Sequence, residues 1–208
     1  MKRFAMLLSV FCSLFIVCPV QAIVINFDDL TPDTLNGGTD ITGLYSGLTW
    51  GASSDETSTG GEGFWTVNDD SSFATAHSGS NFVYNAFGPN NLSFSFDAPV
   101  FFNGAWFALA HGAYTEFQAT QVRLRDDLGN LSSWLSLSEA PVFLNANFAS
   151  ATTIWVERLG SDFEFPGRVF TMDDVTYNAP NPIPEPSTML LLGSGLLGLG
   201  GFRKRVKK

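Results

Sequence analysis

The sequence predicts an all-β domain, an antiparallel two-sheet β-sandwich of the jelly-roll kind, on three grounds. Apolar residues recur at alternate positions in short runs, turn-forming residues fill nearly every gap between the runs, and no window of about 11 residues in the body has a helical period.

The runs, in order, begin with Ile23 to Asp28, followed by Leu44 to Trp50, Phe64 to Val67 and Phe82 to Ala86. Leu92, Phe94 and Phe96 then alternate with Ser93 and Ser95, which predicts a strand with one apolar and one polar face. Val100 to Leu109 comes next, and Val122 and Leu124 flank Arg123 in the same manner. Trp134 to Leu137 and Val142 to Leu144 are short. Ile154 and Val156 enclose Trp155, and Val169 to Tyr177 closes the set. Asn36-Gly37-Gly38, Gly88-Pro89-Asn90-Asn91 and Leu128-Gly129-Asn130 have the composition of turns. Phenylalanine, at 20 copies, is expected to supply the bulk of the core.

The body so defined runs from residue 23 to 178 and is flanked by segments of a different character. Residues 1–22 read as a secretory signal peptide: Met1-Lys2-Arg3 is the basic start, Phe4 to Val17 the apolar region, and Val20-Gln21-Ala22 the small-residue cleavage site. Cys12 and Cys18 follow Phe11 and Val17, whereas lipoprotein cleavage needs a small residue there. Cleavage after Ala22 removes both cysteines, so the mature chain has no disulfide to stabilise it.

At the other end, residues 179–187 form a Pro-rich linker, 188–202 an uncharged Gly-rich span and 203–208 a basic terminus. As a single transmembrane helix the span reaches about 22 Å, short of a hydrocarbon core of about 30 Å. It is therefore a marginal anchor, and Ser194 with Gly198 offers a small-residue pair for close approach of another helix. The basic terminus is expected to stay cytoplasmic, which puts the body on the far side of the membrane. Pro184 and Pro186 hold Glu185 extended, the backbone shape that a protease groove takes.

This order, Pro184-Glu185-Pro186 before a Gly-rich span and a basic end, resembles the PEP-CTERM sorting tail of Gram-negative bacteria. The resemblance implies export across the inner membrane, transient anchoring there, and processing near Pro-Glu-Pro by an exosortase-type membrane enzyme. It also implies a final place at the cell surface or in a biofilm matrix, in company with exopolysaccharide. In the body, Phe27-Asp28-Asp29-Leu30, Met172-Asp173-Asp174-Val175 and Leu44-Tyr45-Ser46-Gly47-Leu48-Thr49-Trp50 resemble strings in galactose-binding-like and carbohydrate-binding jelly rolls.

Charge divides the chain in the same way. Of its 20 acidic residues only Glu185 lies outside residues 23–182, and of its 11 basic residues only Arg123, Arg125, Arg158 and Arg168 lie inside. A body this acidic repels nucleic acid and anionic lipid, and suits cations or neutral polysaccharide. The bland alternative is that its acidity maintains solubility.

Two sets of residues are candidate sites. Asp28, Asp29, Asp173 and Asp174 lie on the first and last strands, which a jelly roll can set side by side. There they are either ligands for a structural calcium, which takes about six to eight oxygens, or solvated and turn-capping acids. Sugars stack on aromatic faces, and the available ones are Trp50, Trp65, Trp106, Trp134, Trp155, Tyr45, Tyr84 and Tyr114. Most of them belong in the core, and Trp65, within the polar stretch Asp55 to Asp70, is the one expected to be exposed.

Catalysis has less to recommend it. His77 and His111 are the only histidines, neither has metal-ligand spacing, and no nucleophile elbow or P-loop is present. The sequence thus reads as a non-enzymatic surface or matrix protein, with a carbohydrate-binding module as the alternative and a two-carboxylate glycosidase third. An exposed aromatic strip beside convergent polar groups favours the binding module; a smooth acidic surface favours the matrix role.

Overall fold

The computed structural model describes residues 22–33, 37–51, 64–86, 91–113, 117–159 and 168–178. The leader, Pro184-Glu185-Pro186, the span 188–202 and Tyr114 lie outside these residues. Residues 21–179 form one compact unit.

Its elements are β1 (Ala22–Ile25), β2 (Thr39–Ile41), β3 (Gly43–Tyr45), β4 (Leu48–Trp50), β5 (Phe64–Asn68), β6 (Phe82–Ala86), β7 (Asn91–Leu109), β8 (Gln121–Asp126), β9 (Leu135–Ser136), β10 (Val142–Leu159) and β11 (Phe170–Asn178). All strand pairings are antiparallel. The fold is the all-β sandwich expected, and its two layers are joined by two long strands.

The first half of β7 pairs with β4 and with the second half of β10 (Phe94 opposite Trp50 and Ile154), and β8 and β9 extend that layer. The second half of β7 pairs with β11 and with the first half of β10 (Phe107 opposite Met172 and Val142), and β6, β5 and β2 extend the other layer. Between the halves both strands bend. The β10 register shifts around Phe148 and Ala151, where Asn147 and Ser150 adopt positive φ, and Pro99 occupies the facing stretch of β7. Bulges of this kind let a strand pass from one sheet to the other at a corner. The sequence shows two pairs of short strands here because the corners interrupt the apolar alternation.

Two further differences have local causes. Leu44 to Trp50 is a hairpin rather than one strand, since Ser46 and Gly47 both take positive φ and form the two-residue turn between β3 and β4. β2 goes unread in the sequence because it has three residues and one buried apolar side chain, Ile41.

The core lies between the layers and is aromatic. Trp50 from β4 meets Trp65 from β5 edge to face at 5.7 Å, and Trp65 meets Phe170 at 6.1 Å. Phe94 and Phe102, from the two halves of β7, lie 5.8 Å apart in the same cluster. The terminal strands are neighbours: β1 pairs with β11 from Ala22 opposite Asn178 to Ile25 opposite Val175.

Candidate functional site

The repeated Asp-Asp pairs meet a loop. In β11, strict alternation would send Asp173 and Asp174 to opposite faces. Instead Asp174 takes a φ of 45° at a bulge, so both turn away from the core while Met172 and Val175 remain in it. Asp173 Oδ2 accepts the backbone N–H groups of His77 and Ser78, at 2.8 and 2.9 Å, and its Oδ1 accepts that of Asp174. Asp174 Oδ1 accepts the Ser78 hydroxyl at 2.8 Å, and its Oδ2 lies 2.5 Å from His77 Nδ1. From β1's side, Asp28 Oδ1 accepts the backbone N–H groups of Ser80 and Asn81. Glycine suits position 79, whose φ is 54° and where a Cβ would push the Asp28 carboxylate aside.

Asp28, Asp173 and Asp174 are thus brought together around residues 77–81 as hydrogen-bond acceptors, while Asp29 turns aside to the Tyr45 hydroxyl at 2.5 Å. Among the described residues no three or more acidic, His or Cys side chains converge as metal ligands would. His77 stacks on Trp106 with ring centroids 3.5 Å apart. The recess beside this pair is a shallow crevice with no enclosed room even for a water molecule, far from the size of a ligand pocket. The assembly is a clamp on a loop.

Asp173 nonetheless senses pH. Burial, with the neighbouring charge of Asp174, pushes its carboxyl from 3.8 up to about 6, against the three N–H bonds that pull it down. The folded chain therefore takes up this proton before the unfolded one does. The contribution of Asp173 to stability is full below pH 3.8 and declines as pH rises through about 6. Urea titrations from pH 4 to 7 are expected to show this fall, and Asp173→Asn is expected to remove it; the same slope in the variant would assign it to another group.

Trp65 is the clearest correction. Expected at the surface, it is 0% exposed, and its Nε1 donates to the Ser93 carbonyl at 3.0 Å across the two layers. The reason is that β5 pairs with β2 and β6 and presents Trp65 and Val67 to the core.

Two half-buried tryptophans, Trp134 and Trp155, lie on the outer side of the opposite layer. Inward-facing Val122, Leu124, Ile154 and Val156 are buried, so the residues between them point outward together: Arg123 and Arg125 from β8, Trp155 and Glu157 from β10. Register sets Trp155 opposite Arg125 and Glu157 opposite Arg123. The Arg125 guanidinium lies over the Trp155 ring at 4.3 Å, and that of Arg123 over Trp134, just before β9, at 4.5 Å. Glu157 bridges them, with Oε2 2.6 Å from Arg123 Nε and Oε1 2.7 Å from Arg125 Nε. Burial alone would raise the Glu157 carboxyl, but hydrogen bonds from Arg125 and Arg123 and their charges hold it below its ordinary range. Small polar residues continue the face: Ser93 opposite Trp155, then Ser95 between Thr49 and Thr153.

Partly exposed ion pairs contribute about 1 kcal/mol or less, and exposed cation–π contacts about the same. What the strip chiefly achieves is orientation of two planar cations and two indoles on an open sheet face. The legible signal for it was Arg123-Leu124-Arg125, which places two of the body's four arginines on one face of one strand.

Residues 182–205 match the model of the PEP-CTERM protein-sorting motif. Residues 182–205 are thus similar to a PEP-CTERM sorting motif. That match covers the expected motif Pro184-Glu185-Pro186, the span and the start of the basic terminus. No curated protein matches the chain. Among solved structures, the body is similar to the N-terminal CBM22 tandem domain of Paenibacillus barcinonensis Xyn10C, with a TM-score of 0.41 and 13% identity over 78% of this chain, which spans 47% of that one. It is similar to the family 29 carbohydrate-binding module CBM29-2, with a TM-score of 0.39 and 12% identity over 78% of this chain and 99% of the other. A third is TmCBM61, solved with β-1,4-galactotriose, with a TM-score of 0.33 and 14% identity over 74% and 99% of the two chains.

Proposed function

We propose that this protein is an exported, non-enzymatic β-sandwich that binds glycan at the cell surface or in the extracellular matrix, after an exosortase-type enzyme has processed its tail. The observation that carries the binding reading is the strip Trp134, Arg123, Glu157, Arg125 and Trp155, an aromatic row beside convergent polar groups on an open face. The guanidiniums stacked on the indoles offer flat surfaces against which pyranose rings can lie, and the guanidiniums and carboxylate match the sugar hydroxyls. Glu157 is the one carboxylate within the strip and is held by two arginines, whereas glycoside hydrolysis needs a pair. Exopolysaccharide is the expected partner.

Affinity electrophoresis of the full-length chain in mild detergent, through gels holding soluble polysaccharides, tests the binding. Trp155→Ala is expected to weaken it about tenfold, or about 1.4 kcal/mol. Retention by no polysaccharide, or undiminished retention of the variant, would remove this reading.

Sorting has its own test. Mass spectrometry of the mature C-terminus is expected to show the chain ending near Glu185 in cells with the processing enzyme and at Lys208 in cells without it. An intact Lys208 in both would sink the processing step.

A further inference from the structure

The arginine pair says more than that a glycan binds. The region from residue 23 to 182 has no lysine and four arginines, and two of these stand on adjacent rungs of one face. Among the described residues, Arg123 and Arg125 each hydrogen-bond through Nε alone, which leaves the terminal nitrogens of both forks uncommitted. Their planes are fixed from beneath by Trp134 and Trp155 and from the side by Glu157. The single Glu157 carboxylate cancels one of the two positive charges, so the strip keeps one in excess. Two preoriented guanidinium edges with a net positive charge are the donor set for a planar two-oxygen anion. A neutral sugar hydroxyl would need neither the second arginine nor the excess charge.

Resting on the glycan-binding reading of the same strip, we propose that it recognises a carboxylate group carried sparsely along an otherwise neutral polysaccharide. Sparseness follows from the remainder of the body, where 18 acids face two arginines. Their field is screened over about 10 Å at 0.1 M salt. A polymer with a charge on every sugar meets that repulsion along its whole length, whereas an isolated carboxylate meets the strip. The expectation from overall charge, neutral polysaccharide alone, is refined by where the cations sit.

The probes are a carboxymethylcellulose of low substitution and the hydroxyethyl ether obtained by reducing its carboxylates, so that one polymer backbone is compared with and without the anion. The full-length chain in detergent is expected to bind the carboxylated form at least tenfold more tightly, with the difference shrinking as sodium chloride is raised. Arg123→Gln with Arg125→Gln is expected to abolish the difference. Glu157→Gln removes the competing carboxylate and is expected to tighten binding of the carboxylated polymer, a gain that damage to the fold would not produce. Equal binding of the two polymers by the wild-type chain overturns the carboxylate inference and leaves the glycan reading standing. Binding of neither polymer overturns the inference, and the broader polysaccharide panel then decides the glycan reading separately. Weaker binding of the carboxylated polymer by Glu157→Gln also counts against the inference.

Discussion

Trp65→Ala is expected to lower unfolding free energy by about 4 kcal/mol, the scale for deleting a fully buried large aromatic. Trp65 is 0% exposed and touches Trp50, Phe94 and Phe170, so its removal opens a void where the two layers meet. The lost Nε1 bond adds little, because the Ser93 carbonyl it reaches also accepts the Gly51 N–H at 3.0 Å and stays paired. A stability of about 5–15 kcal/mol is usual for a domain, so this one change removes a large share. Urea unfolding at constant pH measures it. A loss below about 0.5 kcal/mol, the size of a typical surface change, would mean that Trp65 is not a core residue.

Gly104→Ala is expected to cost about 3 kcal/mol by a different route. Gly104 has a φ of 148°, outside what side-chain-bearing residues adopt readily, and a Cβ there would collide with the backbone carbonyl of Leu144 in β10. Backbone strain costs about 1–3 kcal/mol, and overpacking about the same. The carbonyl has little freedom to yield, because Gly104 is paired on both sides, with Asn145 of β10 and Thr176 of β11. Gly129→Ala is the matched control: its φ is 85°, but nothing lies within 4 Å of the added carbon. It carries backbone strain alone and is expected to lose less. Similar losses for the two variants would show that the contact with Leu144 is unimportant.

These two residues also mark what the sequence reveals and conceals. Alternation is a property of one strand, so the outward positions of Ser93, Ser95, Arg123 and Trp155 were readable from their apolar neighbours alone. Which of them become neighbours depends on register, and register here depends on two strands that bend between layers at Asn147, Ser150 and Pro99. No local pattern reports that, so Arg123, Arg125 and Glu157 were visible as residues but not as a site. Trp65 was misplaced because polarity was averaged along the chain, whereas burial is decided by what the opposing layer brings, here Trp50 and Ser93. The sequence sets the Asp-Asp repeats at the first and last strands, and the fold uses Asp28, Asp173 and Asp174 as hydrogen-bond acceptors. It does so through the loop His77 to Asn81, whose backbone N–H donors carry no signature in the side-chain sequence.

The pairing of β1 with β11 has a consequence for engineering. With Ala22 opposite Asn178, the chain enters and leaves the sandwich at the same spot, and the polypeptide between them is nearly a closed ring. A short glycine linker could join the two ends, and new ends could be cut at the turn after β8, giving a circular permutant with every ladder retained.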